Sequence, residues 1–394
     1  MASAHSYLSL FFCFLRLGCT AFGGPVAHIA YFREEFVEKQ KLLSEHEYTT
    51  LVSLCQFLPG PASSQVGIAL GLNKAGQLGA IIAWFAFTLP SAIILILFAL
   101  SVQTLDSTLV DNLTHGLKIA AIAIVIHALW QMSKSFCQTK TSVLIMLGAT
   151  VIMTSYHSIW LQFLVISLAG VIGVFAFKSH PQSAHNQLNI SISAKAAHIS
   201  LTLLIIGLIA LPLLAAQSQS GLIQLVDSFF RIGASVFGGG HVVLPMLENE
   251  VVSSGWVNEQ NFLAGYGATQ AVPGPIFTFS AFLGAVNELG ITPLIGAISC
   301  LIAIFLPSFL LVNISLYYWQ FCQENRNLKN ALTGINAAVV GLLLSYLYQF
   351  ISSSITENKQ DIGLIVLISL LVFSKKFPVW LIVILCGGLA MWVY

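Results

Sequence analysis

Charge is scarce in this chain. Of its 394 residues 16 are Lys or Arg and 15 are Asp or Glu, 8% in all, where soluble domains carry about 25%. So few charges cannot cover a globular surface with groups that face water, and a soluble fold is excluded. The net charge is only +1, and no basic cluster with interleaved aromatics is present, so nucleic acid is not a partner. The seven cysteines (13, 19, 55, 137, 300, 322, 386) show no C-x-x-C pair and no metal spacing with histidine. That argues against a disulfide framework or a metal site and leaves them as small apolar packing residues. H-E-x-x-H, paired aspartates and a Ser/His/Asp arrangement are missing, which argues against an enzyme or an intramembrane sensor. No P-loop is present, so the chain does not hydrolyse ATP. Nothing requires a cofactor.

Apolar residues fill the space that charge leaves. They make up 57% of the chain, and the mean hydropathy is +0.87. Residues 78–100 form one charge-free run, and about 20 apolar residues suffice to cross a hydrocarbon core roughly 30 Å thick. These runs do not alternate as barrel strands would, so the expected fold is an all-α integral membrane protein whose main partner is the lipid bilayer. Arg16 sits inside the first apolar run, whereas a secretory signal carries its basic residues before that run, so the N-terminus is expected to be retained.

The chain repeats itself. FLRLGCTAFGGP at 14–25 recurs as FFRIGASVFGGG at 229–240, CQFLPGP at 55–61 as TQAVPGP at 269–275, and LPS at 89–91 as LPS at 306–308. Apolar runs near 7–28, 50–72, 77–101, 115–133, 141–155 and 158–177 are matched near 221–246, 260–287, 293–320, 328–350, 361–374 and 378–394. This divides the chain into a first repeat, 1–177, a polar cytoplasmic linker, 178–198, an extra transmembrane helix, 199–216, and a second repeat, 217–394. Six spans plus one is odd, so the second repeat enters from the other side. The expectation is about thirteen transmembrane helices in two inverted-topology repeats, broken at Gly-Gly and Pro-Gly-Pro. The positive-inside rule favours a cytoplasmic N-terminus, with Lys74, Lys134, Lys140, Lys178, Lys195, Arg326, Lys329, Lys375 and Lys376 inside, and hence an outer C-terminus. Residues 29–47 place Ile29, Phe32, Phe36 and Leu43 at helical spacing among charges, which predicts an amphipathic helix on the membrane surface.

Glycine lowers helix propensity by about 1 kcal/mol and proline by about 3, and unwound backbone at membrane depth persists only where it is buried in protein or lines a wet cavity. A break also creates a helix N-terminus that attracts anions. Gly23-Gly24-Pro25, Gly238-Gly239-Gly240, Pro59-Gly60-Pro61 and Pro273-Gly274-Pro275 are therefore candidate substrate-binding breaks. Arg16 and Arg231 lie two helical turns before the glycines. They suit either a dianionic substrate or an ion pair with Asp227, Glu34, Glu35 or Glu250. Gln56 and Gln270 precede each Pro-Gly-Pro and offer neutral donors. Ser63, Ser64 and Thr278 follow it and suit helix capping or ligand donation. His28 and His241 do not align with each other, which weakens a shared proton relay. The G-x-x-x-G of Gly67 and Gly71 suits packing within the protein or a homodimer.

At FGGPVAHIAYFREEF, LPGP and GLNKAGQLGA in the first half, and FGGGHVVLPMLENEVVSSGWVNEQNFLAGYGATQAVPGP in the second, the chain resembles the chromate ion transporter family, long two-repeat form. The resemblance covers nearly the whole length. It implies fused, inverted halves and export of chromate across the bacterial inner (plasma) membrane, with sulfate as the related oxyanion and candidate exchange partner. By position the family's motif falls on Arg16, Phe22, Gly23, Gly24, Pro25, Pro59, Gly60 and Pro61, then on Phe237 to Gly240 and Pro273 to Pro275. Leu42-Leu43 departs from it, where the second half has the family-like Gly255-Trp256. The resulting expectation is an alternating-access exporter of chromate. Its rivals are a carrier of sulfate or another oxyanion that handles chromate incidentally, and a passive channel.

Overall fold

The computed structural model describes residues 4–104, 107–156, 159–177, 190, 192–237, 243–357, 359–374 and 376–393, and among these the regular structure is entirely helical. The first half holds α1 (Ala4–Thr20), α2 (Gly24–Arg33), a π-helical turn (Glu34–Lys39), α3 (Glu45–Phe57), α4 (Ala62–Thr104), α5 (Ser107–Phe136), α6 (Lys140–Ser155) and α7 (Ile159–Ala176). After α8 (Ala194–Gln217) come α9 (Gly221–Ser235), α10 (Val243–Val251), α11 (Glu259–Ala271), a 3-10 turn (Ile276–Thr278), α12 (Phe279–Ala285), α13 (Pro293–Glu324), α14 (Arg326–Glu357), α15 (Lys359–Ser374) and α16 (Val379–Val393).

Among the described residues five helical stretches are long and apolar enough to cross a membrane: Ala62–Val102, Asp111–Phe136, Ala194–Gln217, Pro293–Trp319 and Arg326–Ser352. Six shorter apolar helices accompany them. The expected spans at 7–28 and 50–72 are not single helices. The first is interrupted between Thr20 and Gly24, the second between Phe57 and Ala62. Gly23, Gly24, Gly60 and Gly274 take φ of 102°, 73°, 110° and 105°, a left-handed region that side-chain-bearing residues seldom occupy. Leu58 is extended at ψ 148°, as the residue before a proline tends to be. Pro25 falls in the first turn of α2, where its missing N–H leaves no bond unmade. α4 is itself two helices, parted by non-helical backbone at Ala75 and Gly76. Its first part, 62–74, and the 13-residue α3 are each only about 20 Å long at 1.5 Å per residue.

The chain gathers into two compact units, each drawing on both halves. The first contains residues 1–103, 182–240 and 272–322, the second 104–181, 241–271 and 323–394. In the first unit, Gly71 packs on Gly79 and Gly284 packs on Gly296, backbone against backbone, so each half folds a short helix tightly onto its successor. Gly67 faces Phe14 and Phe32. Gly67 and Gly71 are thus occupied within the chain, and neither is left to form a homodimer. In the second unit α14 meets α6 and α7 through Gly341 on Met146, Gly334 on Ala169 and Gly173 on Asn330, the small-residue packing typical of membrane helices. Gly267 of α11 rests on Leu117 of α5.

Residues 29–47 do not form one surface helix. α2 runs into the π-helical turn, Lys41 has φ 51°, and a Ser44/Glu47 capping box opens α3. Phe32 and Phe36 are wholly buried, with ring centroids 5.7 and 5.2 Å from that of Phe14. The helical spacing was real, but the face it marked packs on protein.

Candidate functional site

In the first unit the two Pro-Gly-Pro breaks and the ends of α1 and α9 meet in a reciprocal arrangement. The amide of Gly60, in the first Pro-Gly-Pro, donates to the carbonyl of Val236 at the end of α9, at 2.6 Å. The amide of Gly274, in the second Pro-Gly-Pro, donates to the carbonyl of Ala21 at the end of α1, at 3.0 Å. Ala21 and Val236 occupy matching positions of the repeat, five residues after Arg16 and Arg231. Each half therefore closes the other's broken first helix, supplying a donor to one of the carbonyls that a helix end leaves unmade.

The close fit continues around these bonds. A β-carbon on Gly18 would stand 2.6 Å from the carbonyl oxygen of Phe87. Its counterpart on Gly233 would collide with the carbonyl of Ile304. A β-carbon on Gly274 would lie 2.9 Å from Ser91 Oγ, and one on Gly60 2.9 Å from Ser308 Oγ. Ser91 and Ser308 are the serines of the repeated LPS, whose prolines, Pro90 and Pro307, sit inside helices and free a carbonyl one turn back. The LPS had served only as a mark of the repeat; its serines prove to flank the glycine breaks.

His28 ties the first crossing to α1. It is buried, with Nε2 3.1 Å from the Ala21 carbonyl and Nδ1 3.2 Å from Ser63 Oγ. A carbonyl can only accept, so Nε2 carries the hydrogen and the Ser63 hydroxyl donates to Nδ1. Ser63 is thus engaged with His28, and Thr278 Oγ1 donates to the Pro275 carbonyl at 2.7 Å. Pro59, Pro61, Pro273 and Pro275 frame the crossings, and Gly23, Gly24 and Pro25 lie at the start of α2.

The arginines are paired with acids. Arg16 Nη2 contacts Glu35 Oε2 at 2.5 Å, with the Arg16 side chain 59% exposed. Glu35 also accepts from Gln40 at 2.8 Å, and Gln40 from Lys74 at 2.6 Å. Arg231 binds Asp227, one turn earlier on α9, at 2.8 Å. Of the remaining candidates, Gln56 is exposed, and Gln270 ends α11 in the second unit. Gly238, Gly239, Gly240 and His241, and most of the 178–198 linker, lie outside the described residues. Sequence reasoning passed over Gln65, a fully buried glutamine whose Nε2 donates to the Pro59 carbonyl at 2.6 Å. Its signal was there, an amide set in the apolar run after Pro61.

A duplicated, multi-pass helical membrane protein whose two halves close each other's broken helices belongs among membrane transporters. The chromate transporter family model matches residues 8–174 and again 223–392, and the chain belongs to that family. It is 28% identical over 342 residues to the chromate transport protein of Pseudomonas aeruginosa, covering 86% of this chain and 79% of that one. It is 29% identical over 401 residues to the probable chromate transport protein of Synechococcus elongatus, covering 99% and 96%. A Bacillus subtilis protein described as an uncharacterized transporter is 25% identical over 173 residues, which cover 87% of it and 44% of this chain. No solved structure matches.

Proposed function

We propose that this chain exports chromate across the bacterial plasma membrane by alternating access, with sulfate as exchange partner. The observation that carries this reading is the reciprocal closure of Gly60 on Val236 and Gly274 on Ala21. It gathers broken-helix ends from both halves in one unit, as in transporters that receive an ion at half-helix termini. The names of the Pseudomonas and Synechococcus relatives support chromate as the substrate. In this reading about thirteen helices span the membrane, the two repeats, 1–177 and 217–394, are inverted, the N-terminus is cytoplasmic and the C-terminus outside. The breaks at Gly23 to Pro25, Pro59 to Pro61, Gly238 to Gly240 and Pro273 to Pro275, with Arg16, Arg231, Gln56 and Gln270, form or support the substrate path. An inside-negative potential favours efflux of a dianion by about 2.3 kcal/mol per charge per 100 mV, which is enough to drive export without ATP.

The test is labelled chromate flux in proteoliposomes loaded with or without sulfate. Saturable flux stimulated by sulfate on the opposite side is expected. Flux that rises linearly with concentration and shows no counterflow would indicate a pore. Movement of sulfate without chromate would make this a carrier of another oxyanion, and movement of neither would defeat the assignment.

A further inference from the structure

The two crossings share a backbone plan but not their side chains. After its break the first carries Ser63, Ser64 and Gln65, where the second carries Phe277, Thr278 and Phe279. At the second crossing the Thr278 and Ser91 hydroxyls are used within their own helices, while that of the neighbouring Thr88 is buried with no partner among the described residues. Thr278 donates to the Pro275 carbonyl at 2.7 Å and Ser91 to the Thr88 carbonyl at 2.9 Å. At the first, Ser308 is 0% exposed and Ser64 3%, and neither hydroxyl has a hydrogen-bond partner among the described residues. Gln65, also 0% exposed, is anchored through Nε2 to Pro59, while its Oε1 has no partner among those residues.

Gly60 brings these groups together. A β-carbon there would stand 2.9 Å from Ser308 Oγ and 2.8 Å from Gln65 Nε2, so a serine from the second half and a glutamine from the first face one glycine. Burying a hydroxyl without a partner is costly, and native proteins seldom keep such groups unless they serve a purpose. Ser91, at the matching position, shows that an LPS serine can satisfy itself inside its own helix; Ser308 does not.

We propose that the first crossing, and not the second, holds the transported oxyanion, with the Ser308 hydroxyl and the second Nε2 hydrogen of Gln65 as neutral donors to it. This deepens the transport reading above and rests on it. The chemistry suits a tetrahedral dianion that must bind and then leave. Hydroxyl and amide donors replace its lost water without the deep ion pair that a buried arginine would form. Arg16 and Arg231 are engaged with Glu35 and Asp227, which fits them to hold helices in place. The first turn of α4 adds the positive end of a helix dipole, and Gly60, lacking a side chain, lets both donors close in on the break.

The experiment compares Ser308→Ala, Gln65→Leu and Ser91→Ala in the full-length protein. It measures half-saturating chromate and sulfate for flux in proteoliposomes, and the rise in melting temperature on adding sulfate to the detergent-solubilised protein. Ser308→Ala is expected to raise the half-saturating concentration roughly tenfold, the equivalent of one lost neutral hydrogen bond. It should abolish the sulfate-induced shift while melting without ligand at or above the parent's temperature, because an unpaired buried hydroxyl is gone. A serine with a purely structural role would lower that temperature instead. Gln65→Leu should weaken sulfate binding in the same direction, and Ser91→Ala should stay within twofold of the parent. Unchanged affinity in Ser308→Ala, or equal losses in Ser308→Ala and Ser91→Ala, would overturn this assignment while leaving transport intact. A parent protein that moves no oxyanion would instead overturn the functional reading itself.

Discussion

Arg231 and Asp227 face each other at 2.8 Å, one helical turn apart on α9, with side chains only 12% and 5% exposed. Their counterpart in the first half is built differently, because Arg16 takes its carboxylate, Glu35, from beyond α2 and keeps much of its own side chain exposed.

The two pairs should therefore respond unequally to substitution. Arg231→Ala strands a buried carboxylate and should cost about 3–5 kcal/mol of stability, which a second change, Asp227→Asn, partly restores. Arg16→Ala should cost about 1 kcal/mol or less, since Arg16 itself is largely exposed and Glu35 keeps Gln40 and Lys39 beside it. Thermal unfolding in detergent measures both. If Arg16→Ala leaves unfolding alone but sharply raises half-saturating chromate, Arg16 is a ligand of the anion and not a support.

Glycines split into those whose space is taken and those whose space is free. Gly233→Ala must push aside the Ile304 carbonyl, and Gly18→Ala that of Phe87. Each should lose about 1–3 kcal/mol as overpacked sites do. Gly148, inside α6, has nothing within 4 Å of an added methyl, so Gly148→Ala should be neutral or gain up to about 1 kcal/mol from better helix propensity. Melting temperatures of the three variants give the order directly.

Two carboxylates outside the apolar spans should shape pH dependence with opposite signs. Burial alone would raise the Glu35 carboxyl, but the Gln40 hydrogen bond and the Arg16 and Lys39 charges outweigh it and hold its pKa below the ordinary 4.5. Its contribution is present above that ordinary value and is lost as pH falls through the lowered folded one. Glu248 is pushed up to about 7 by burial first and by the Glu259 charge second. The folded chain then keeps a proton that the unfolded chain gives up, so stability declines as pH rises from the ordinary 4.5 to about 7. Melting temperature against pH should flatten at the acid end in Glu35→Gln, and between those two values in Glu248→Gln. Parallel profiles for parent and variants would count against both assignments.

The breaks were legible because their cause is local. A left-handed φ at Gly23, Gly60 or Gly274 needs glycine, and the neighbouring prolines state the same stop. The Asp227–Arg231 pair was also legible, being one turn apart on a helix. The bond from Gly60 to Val236 was not, since nothing in either heptapeptide says which distant carbonyl it will meet. The surface-helix expectation for residues 29–47 failed because the spacing of Phe32 and Phe36 describes an apolar face without naming what covers it. Phe14 covers it, and the π-helical turn swings Glu35 in toward Arg16. Ser308 and Gln65 escaped notice because an unpaired hydroxyl or amide exists only once neighbours have enclosed it.

The reciprocal closure also bears on why such a chain is fused. A half-length protein can complete this arrangement only with a second copy or a sister chain, and in a pair of identical copies any residue chosen for one crossing is imposed on the other. Fusion lifts that constraint. Ser64-Gln65 can then diverge from Thr278-Phe279, so that two joints built on one backbone plan come to carry different side chains, a glutamine in one and a phenylalanine in the other.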